Sequence, residues 1–118
     1  MVVAPEESPD SKLSVGFGAA GPWLTAEVCG ELDLGTAPVL LNRVGLLIGL
    51  HAAPHVALDV SRVAFCDSSG INAFVRLVRR ARAAGGQLVL LRPPPRLAEL
   101  LARTGVDRHV RIVDTLPG

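Results

Sequence analysis

Apolar and polar positions alternate along the 118-residue chain in a way that divides it into short strands and amphipathic helices. Leu13 to Phe17 reads as a first strand, followed by a turn through Gly18-Ala-Ala-Gly21-Pro22. Trp23 to Leu32 keeps a period of two, with Leu24, Ala26, Val28 and Leu32 on one face and Thr25, Glu27 and Glu31 on the other. The two strands are predicted to form an antiparallel hairpin at the edge of a sheet. Asp33 ends the second strand, Thr36 is the expected N-cap of a helix, and Pro38 fits its first turn. That helix, Pro38 to about Leu50, turns Leu40, Leu41, Val44, Leu47 and Ile48 toward a core. Gly45 and Gly49 within it weaken it by ~1 kcal/mol each relative to Ala.

The second half follows the same logic. Pro54 breaks the chain before the strand formers His55 to Val60. From Ser69 to Ala84 the apolar residues Ile71, Phe74, Val75, Val78 and Ala81 recur at helical spacing, with Arg76, Arg79 and Arg80 opposite, and Gly85-Gly86 stops the helix. Leu88 to Leu91 is a continuous apolar run, as expected of a strand covered on both faces. Pro93-Pro-Pro95 is a rigid joint into a helix with Leu97, Leu100 and Leu101 inward, and Val110 to Val113 is a last strand. The order ββαβαβαβ implies one α/β domain with a mixed, mostly parallel sheet and right-handed crossovers. We place the domain at residues 12–114, with a flexible N-terminal tail at 1–11 and a C-terminal tail at 115–118.

Composition narrows the functional classes. Hydrophobic content of 49% with 19% charged residues is that of a folded globular chain. A net charge of +1 argues against direct nucleic-acid binding, which normally needs a basic excess. The longest apolar run, bracketed by Asn42, Arg43 and His51, falls short of the ~18 residues of a membrane span, and the first residues lack a basic, apolar leader, so a cytoplasmic protein is expected. No enzyme motif is present: neither Ser68 nor Ser69 lies in Gly-x-Ser-x-Gly, and there is no Gly-rich phosphate loop with its Lys. Pro54 lies between His51 and His55, so they share no helical metal face, and surface or loop positions are expected for the histidines. We predict no catalytic residues, no metal and no cofactor. Cys29 and Cys66 read as reduced, packed thiols, although a helix N-terminus beside Cys66 can lower a thiol pKa and leaves a redox role open. Trp23 reads as an edge aromatic packed over the turn, with a ligand-stacking role as the alternative.

One stretch concentrates the chemistry that remains. In Val63-Ala-Phe-Cys-Asp-Ser-Ser-Gly-Ile71, the tetrad Asp67-Ser68-Ser69-Gly70 stands where a buried strand hands over to an amphipathic helix. Asp and Ser there can cap the helix, because their side-chain oxygens accept from the free N–H groups of the first turn. The same groups and the helix dipole make the place hospitable to an added phosphate. On a helical wheel begun at Ile71, Ser69 falls near the line of Asn72, Ala73, Arg76 and Arg80, away from the apolar stripe. That line is either a solvated helix face or a partner-binding ridge with Ser69 at its head.

Asp59-Val-Ser-Arg-Val-Ala-Phe-Cys-Asp67-Ser-Ser-Gly70-Ile resembles the signature of STAS domains of the anti-sigma factor antagonist type. Gly30-Glu-Leu-Asp33 with Thr36-Ala-Pro38, the strand Gly85 to Leu91, and Leu97 to Val106 closed by Thr104-Gly105 resemble further landmarks of that family in order, covering roughly residues 12 to 114. The resemblance implies a bacterial partner-switching regulator. Its unphosphorylated form would bind an anti-sigma factor and free the sigma factor. That anti-sigma factor would also be a serine kinase of the histidine-kinase-like ATPase fold, and a serine phosphatase would reset the switch. The resemblance places the acceptor at Ser69, with Ser68 the secondary candidate. Asp67 and Gly70 would shape the turn, and Asp33 would either position the kinase or cap the following helix. Ser69, Asn72, Arg76 and Arg80 would form the partner surface. Two other uses of the domain stay open: a STAS subunit of an ABC-type lipid transport system, and a stressosome-type scaffold.

Overall fold

The computed structural model of the chain describes residues 12–117; the expected tail at 1–11 and Gly118 lie outside the described residues. Strand β1 spans Leu13–Ala20 and β2 Trp23–Leu32. Helix α1 spans Ala37–Gly49, β3 His55–Cys66, α2 Ser68–Ala83, β4 Gln87–Leu91, α3 Pro95–Thr104 and β5 Arg111–Val113, with a single 3-10 turn at Val106–Arg108 before the last strand. The five strands form one sheet in the order β1-β2-β3-β4-β5. β1 pairs with β2 antiparallel, from Leu13 opposite Gly30 to Ala20 opposite Trp23, and the other neighbours are parallel. The order of elements along the chain and the mixture of strand directions are those predicted.

Two boundaries differ from the pattern-based reading. β1 runs three residues past Phe17, so the reversal is the tight Gly21-Pro22 turn. β3 continues beyond Val60 to Cys66 as a 12-residue strand. Its register against β2 slips between Glu27 and Cys29 and again between Gly30 and Glu31. Such bulges add residues to one strand and bend it. They let the polar Ser61-Arg62 pair interrupt the apolar alternation without ending the strand.

The core lies on one side of the sheet. Leu13, Val15, Ala26, Val28, Leu32, Val56, Leu58, Val60, Leu88 and Leu90 face Leu40, Val44 and Ile48 of α1, Ile71, Phe74, Leu77 and Val78 of α2, and Leu97 and Leu101 of α3. The other side carries a small cluster of Trp23, Ala57 and Val89, with Val113 and Leu116 packed against it. β4 is thus buried on both faces as predicted, but the second cover is one indole and the segment after β5. Trp23 packs across the sheet rather than over the turn. It stands edge-on to His55 at 5.7 Å between centroids, and its Nε1 donates to the Pro117 carbonyl at 3.1 Å. His55 is accordingly a half-buried strand residue, its Nδ1 3.1 Å from Gln87 Nε2.

Asp59, on that same second face, is a buried acid in an apolar strand. It is 2.7 Å from Arg92 Nη2 and accepts the Ser61 N–H at 3.0 Å. Burial pushes its carboxyl up, but the Ser61 N–H and the Arg92 guanidinium outweigh it and hold the group below the usual carboxylate range.

Candidate functional site: the turn between β3 and α2

The turn is fixed by backbone before its side chains act. The Asp67 N–H donates to the Leu32 carbonyl at 3.1 Å, tying the start of α2 to the end of β2. The Asp67 carbonyl takes the Ile71 N–H at 3.1 Å, which begins the helix. Asp67 itself is extended, at φ −111° and ψ −169°, and its Oδ1 accepts the Ser69 N–H at 2.8 Å. This is the geometry of an N-cap, in which a charged acceptor neutralises one of the free donors of the first turn. Gly70 is required for a packing reason. A Cβ there would stand 2.6 Å from Cys66 Sγ and 2.9 Å from Leu32 Cβ, so any larger residue would push α2 off the ends of β2 and β3. Replacing Asp67 by Ala should lower stability by ~1 kcal/mol. If the carboxylate also shapes the turn for a kinase, phosphorylation should slow by more than that loss explains. Thermal melts and initial rates measured on the same variant separate the two roles.

Ser68 is exposed and Ser69 is partly covered. Down the helix from Ser69, Asn72, Arg76 and Arg80 are exposed, as the wheel expects. Ala73 is not: it is fully buried, together with Leu77, because α2 packs sideways on α1 as well as down on the sheet. Arg80 marks that seam. Its guanidinium occupies the space that a side chain at Gly45 would fill. Gly45, a weakness by helix propensity alone, lets the two helices close up with an arginine between them.

Beside the turn lies the loop from β2 to α1. Asp33 follows Leu32, so the two acid-bearing turns are neighbours at one end of the sheet. Asp33 Oδ1 accepts the N–H groups of Gly35 at 2.9 Å and Thr36 at 3.0 Å, and Oδ2 is 3.3 Å from Lys12 Nζ. The Thr36 N–H, then Lys12, hold its carboxyl below the usual range. The expected N-cap, Thr36, makes no side-chain capping bond. Its hydroxyl turns inward, donating to the Glu31 carbonyl at 2.7 Å and accepting the Asp33 N–H at 2.9 Å. Asp33 organises the loop instead. Lys12 was not singled out by the sequence as a partner of Asp33, since nothing local signals an ion pair across the β1–β2 hairpin.

Cys66 closes the site from below. Its thiol donates weakly to the Asp67 carbonyl at 3.5 Å. Burial, reinforced by the Asp67 carboxylate, pushes it up to about 12 despite the adjacent helix start. The expectation that the helix N-terminus lowers this pKa is therefore corrected: desolvation dominates, and the thiol stays protonated at neutral pH. Cys29, read from the sequence as packed, is instead exposed on β2. Among the described residues there is no cluster of three or more His, Cys, Asp or Glu suited to a metal, and no helix long and apolar enough to cross a membrane.

These features define an α/β domain with a capped serine turn at the C-terminal end of a central strand. The family model for the STAS domain matches residues 21–117, and the chain belongs to that family. Solved structures agree in fold. An anti-sigma factor antagonist from Mycobacterium paratuberculosis is 23% identical, superposes with a TM-score of 0.78, and covers 93% of this chain and 92% of its own. A putative anti-sigma factor antagonist from Thermotoga maritima is 21% identical, with a TM-score of 0.74 and coverage of 86% and 87%. The Bacillus cell fate determinant SpoIIAA in its phosphorylated form is 20% identical, with a TM-score of 0.64 and coverage of 84% and 90%.

Proposed function

We propose that this chain is an anti-sigma factor antagonist, a regulatory binding protein rather than an enzyme, switched by phosphorylation of Ser69. The observation that carries the reading is the Asp67-capped start of α2, which holds Ser68 and Ser69 at the head of an exposed helix face within a STAS domain. Similar folds belong to proteins described as anti-sigma factor antagonists, one of them in a phosphorylated form. The unmodified chain binds an anti-sigma factor of the histidine-kinase-like ATPase fold in the cytoplasm, and the sigma factor is released. The same anti-sigma factor transfers phosphate to Ser69, and a serine phosphatase restores the active form. The chain needs no cofactor and touches no nucleic acid. Asp67 and Gly70 set the turn, while Asp33 holds the neighbouring loop against it.

The test is direct. The anti-sigma kinases of the source organism are purified, incubated with the chain and ATP, and the site is mapped by mass spectrometry. Phosphate on Ser69 is expected, with none on Ser69→Ala. Because Ser68 is the more exposed hydroxyl, phosphate on Ser68 alone would overturn the assignment, and phosphate on neither would overturn the switch.

A further inference from the structure

The two helices beside the serine turn present one surface of unusual composition. α1 and α2 start together, where the Leu32 carbonyl takes the Asp67 N–H, and end together, where the Ala53 N–H donates to the Ala84 carbonyl at 3.0 Å. They therefore run parallel, side by side. Neither helix contains a single Asp or Glu. Arg76, Arg79 and Arg80 are exposed on α2, whereas Arg82 reaches the His109 carbonyl beside the 3-10 turn and Arg43 of α1 lies over the Phe17 ring of β1. The apolar part comes from α1. Leu46 is 69% exposed and Leu50, just past the helix end, 78% exposed, one turn apart on the same stripe. Arg80 lies over Gly45, at the seam between the two helices.

We propose that this two-helix face is a single docking surface for an acidic protein partner, with Leu46 and Leu50 as its apolar anchors. The inference rests on the anti-sigma reading and extends its interface from the serine turn to the far end of α1. Charge selects the occupant. A second copy joined through the same face would set two acid-free, arginine-bearing surfaces against each other, so an isologous dimer is disfavoured. An acidic surface is attracted and oriented by the arginines, and the leucines then enter an apolar recess, the arrangement in which a few buried anchors dominate affinity. The open cleft of about 600 Å³ on the other flank of the turn, between Val63–Cys66 and α3, differs. There the lining mixes Glu99 with Arg96 and Arg103, and Glu99 pairs with Arg103 along α3.

The experiment titrates the purified anti-sigma kinase against wild type, Leu46→Ala, Leu50→Ala and Ser69→Asp, at low and moderate salt. Both leucine variants keep good helix formers at exposed positions, so their melting temperatures should match wild type. Each should bind about tenfold more weakly at either salt concentration. Weakened Ser69→Asp with silent leucine variants overturns the proposal and leaves the switch standing. Weakened leucine variants with silent Ser69→Asp keep the docking face and remove the switch. In parallel, wild type and variants are mixed with phosphatidylcholine vesicles with and without 25 mol% phosphatidylglycerol. Leucine-dependent binding to the anionic vesicles, with kinase affinity unchanged, would assign the face to a membrane and overturn the proposal. Leucine-dependent self-association in sedimentation would overturn it in favour of a dimer.

Discussion

Gly86→Ala is expected to destabilise the domain by about 3 kcal/mol, against ~1 kcal/mol for Gly85→Ala, although the two glycines are adjacent. α2 ends with the Gly85 N–H donating to the Arg82 carbonyl and the Gly86 N–H to the Ala81 carbonyl, each at 2.9 Å. The next residue, Gln87, donates to the Pro54 carbonyl at 2.9 Å, which starts the β3–β4 ladder. The chain thus passes so close to Pro54 that a Cβ at Gly86 would overlap its carbonyl oxygen and lie 2.6 Å from its nitrogen and carbonyl carbon. The obstacle is backbone on both sides, and moving either segment breaks the register of His55 with Gln87. Gly85 has a different problem. Its φ of +83° is left-handed, but a Cβ there meets only Ala53 at ordinary contact distance. Denaturant titration compares the two directly: midpoints should fall in that order with an unchanged slope. Equal losses would mean that the approach to Pro54 relaxes at little cost.

That pair of glycines shows what the sequence makes legible. A helix stop is a local event, so Gly85-Gly86 announces it; which glycine is sterically indispensable depends on Pro54, distant in the chain. The serine turn was legible for the same local reason, since Asp67 caps through its own neighbour Ser69. Local pattern misleads where a third element intervenes. Ala73 falls outside the stripe of Ile71, Phe74 and Val78 on a wheel that imagines only a sheet beneath, and α1 is what buries it. Thr36 has the right residue type for a cap, but Asp33 reaches the loop N–H groups first and the Glu31 carbonyl claims the hydroxyl. Cys66 sits at a helix start, where a lowered pKa is a fair inference, until its burial is known. The Asp59–Arg92 pair has one visible sign, an acid inside an apolar strand, but its partner lies just past the end of β4. Periodicity thus carried the element order, and tertiary neighbours decided the chemistry of single side chains.

Phosphorylation of Ser69 should weaken partner binding by about 100-fold while leaving the fold intact. The modification adds ~−1.5 to −2 charges at neutral pH. Within the domain this charge is tolerated: it stands at the positive end of α2, which favours an anion and offsets the Asp67 carboxylate beside it. The melting temperature should accordingly change little. Across the interface the balance reverses. An acidic surface drawn to Arg76 and Arg80 would meet a new anion at the head of the same face. Two like unit charges ~6 Å apart at an effective dielectric of ~20 repel by about 3 kcal/mol, which corresponds to roughly 100-fold in affinity. Ser69→Asp carries less charge and should lose less, and Ser69→Ala should bind like wild type while resisting modification. Arg76→Glu and Arg80→Glu should each weaken binding through the association rate, and the loss should shrink at high salt because both side chains are exposed. Biosensor kinetics on the phosphorylated protein and these four variants separate the contributions. If the phosphorylated protein binds as tightly as the unmodified one while both arginine variants are also silent, the partner surface lies elsewhere on the domain.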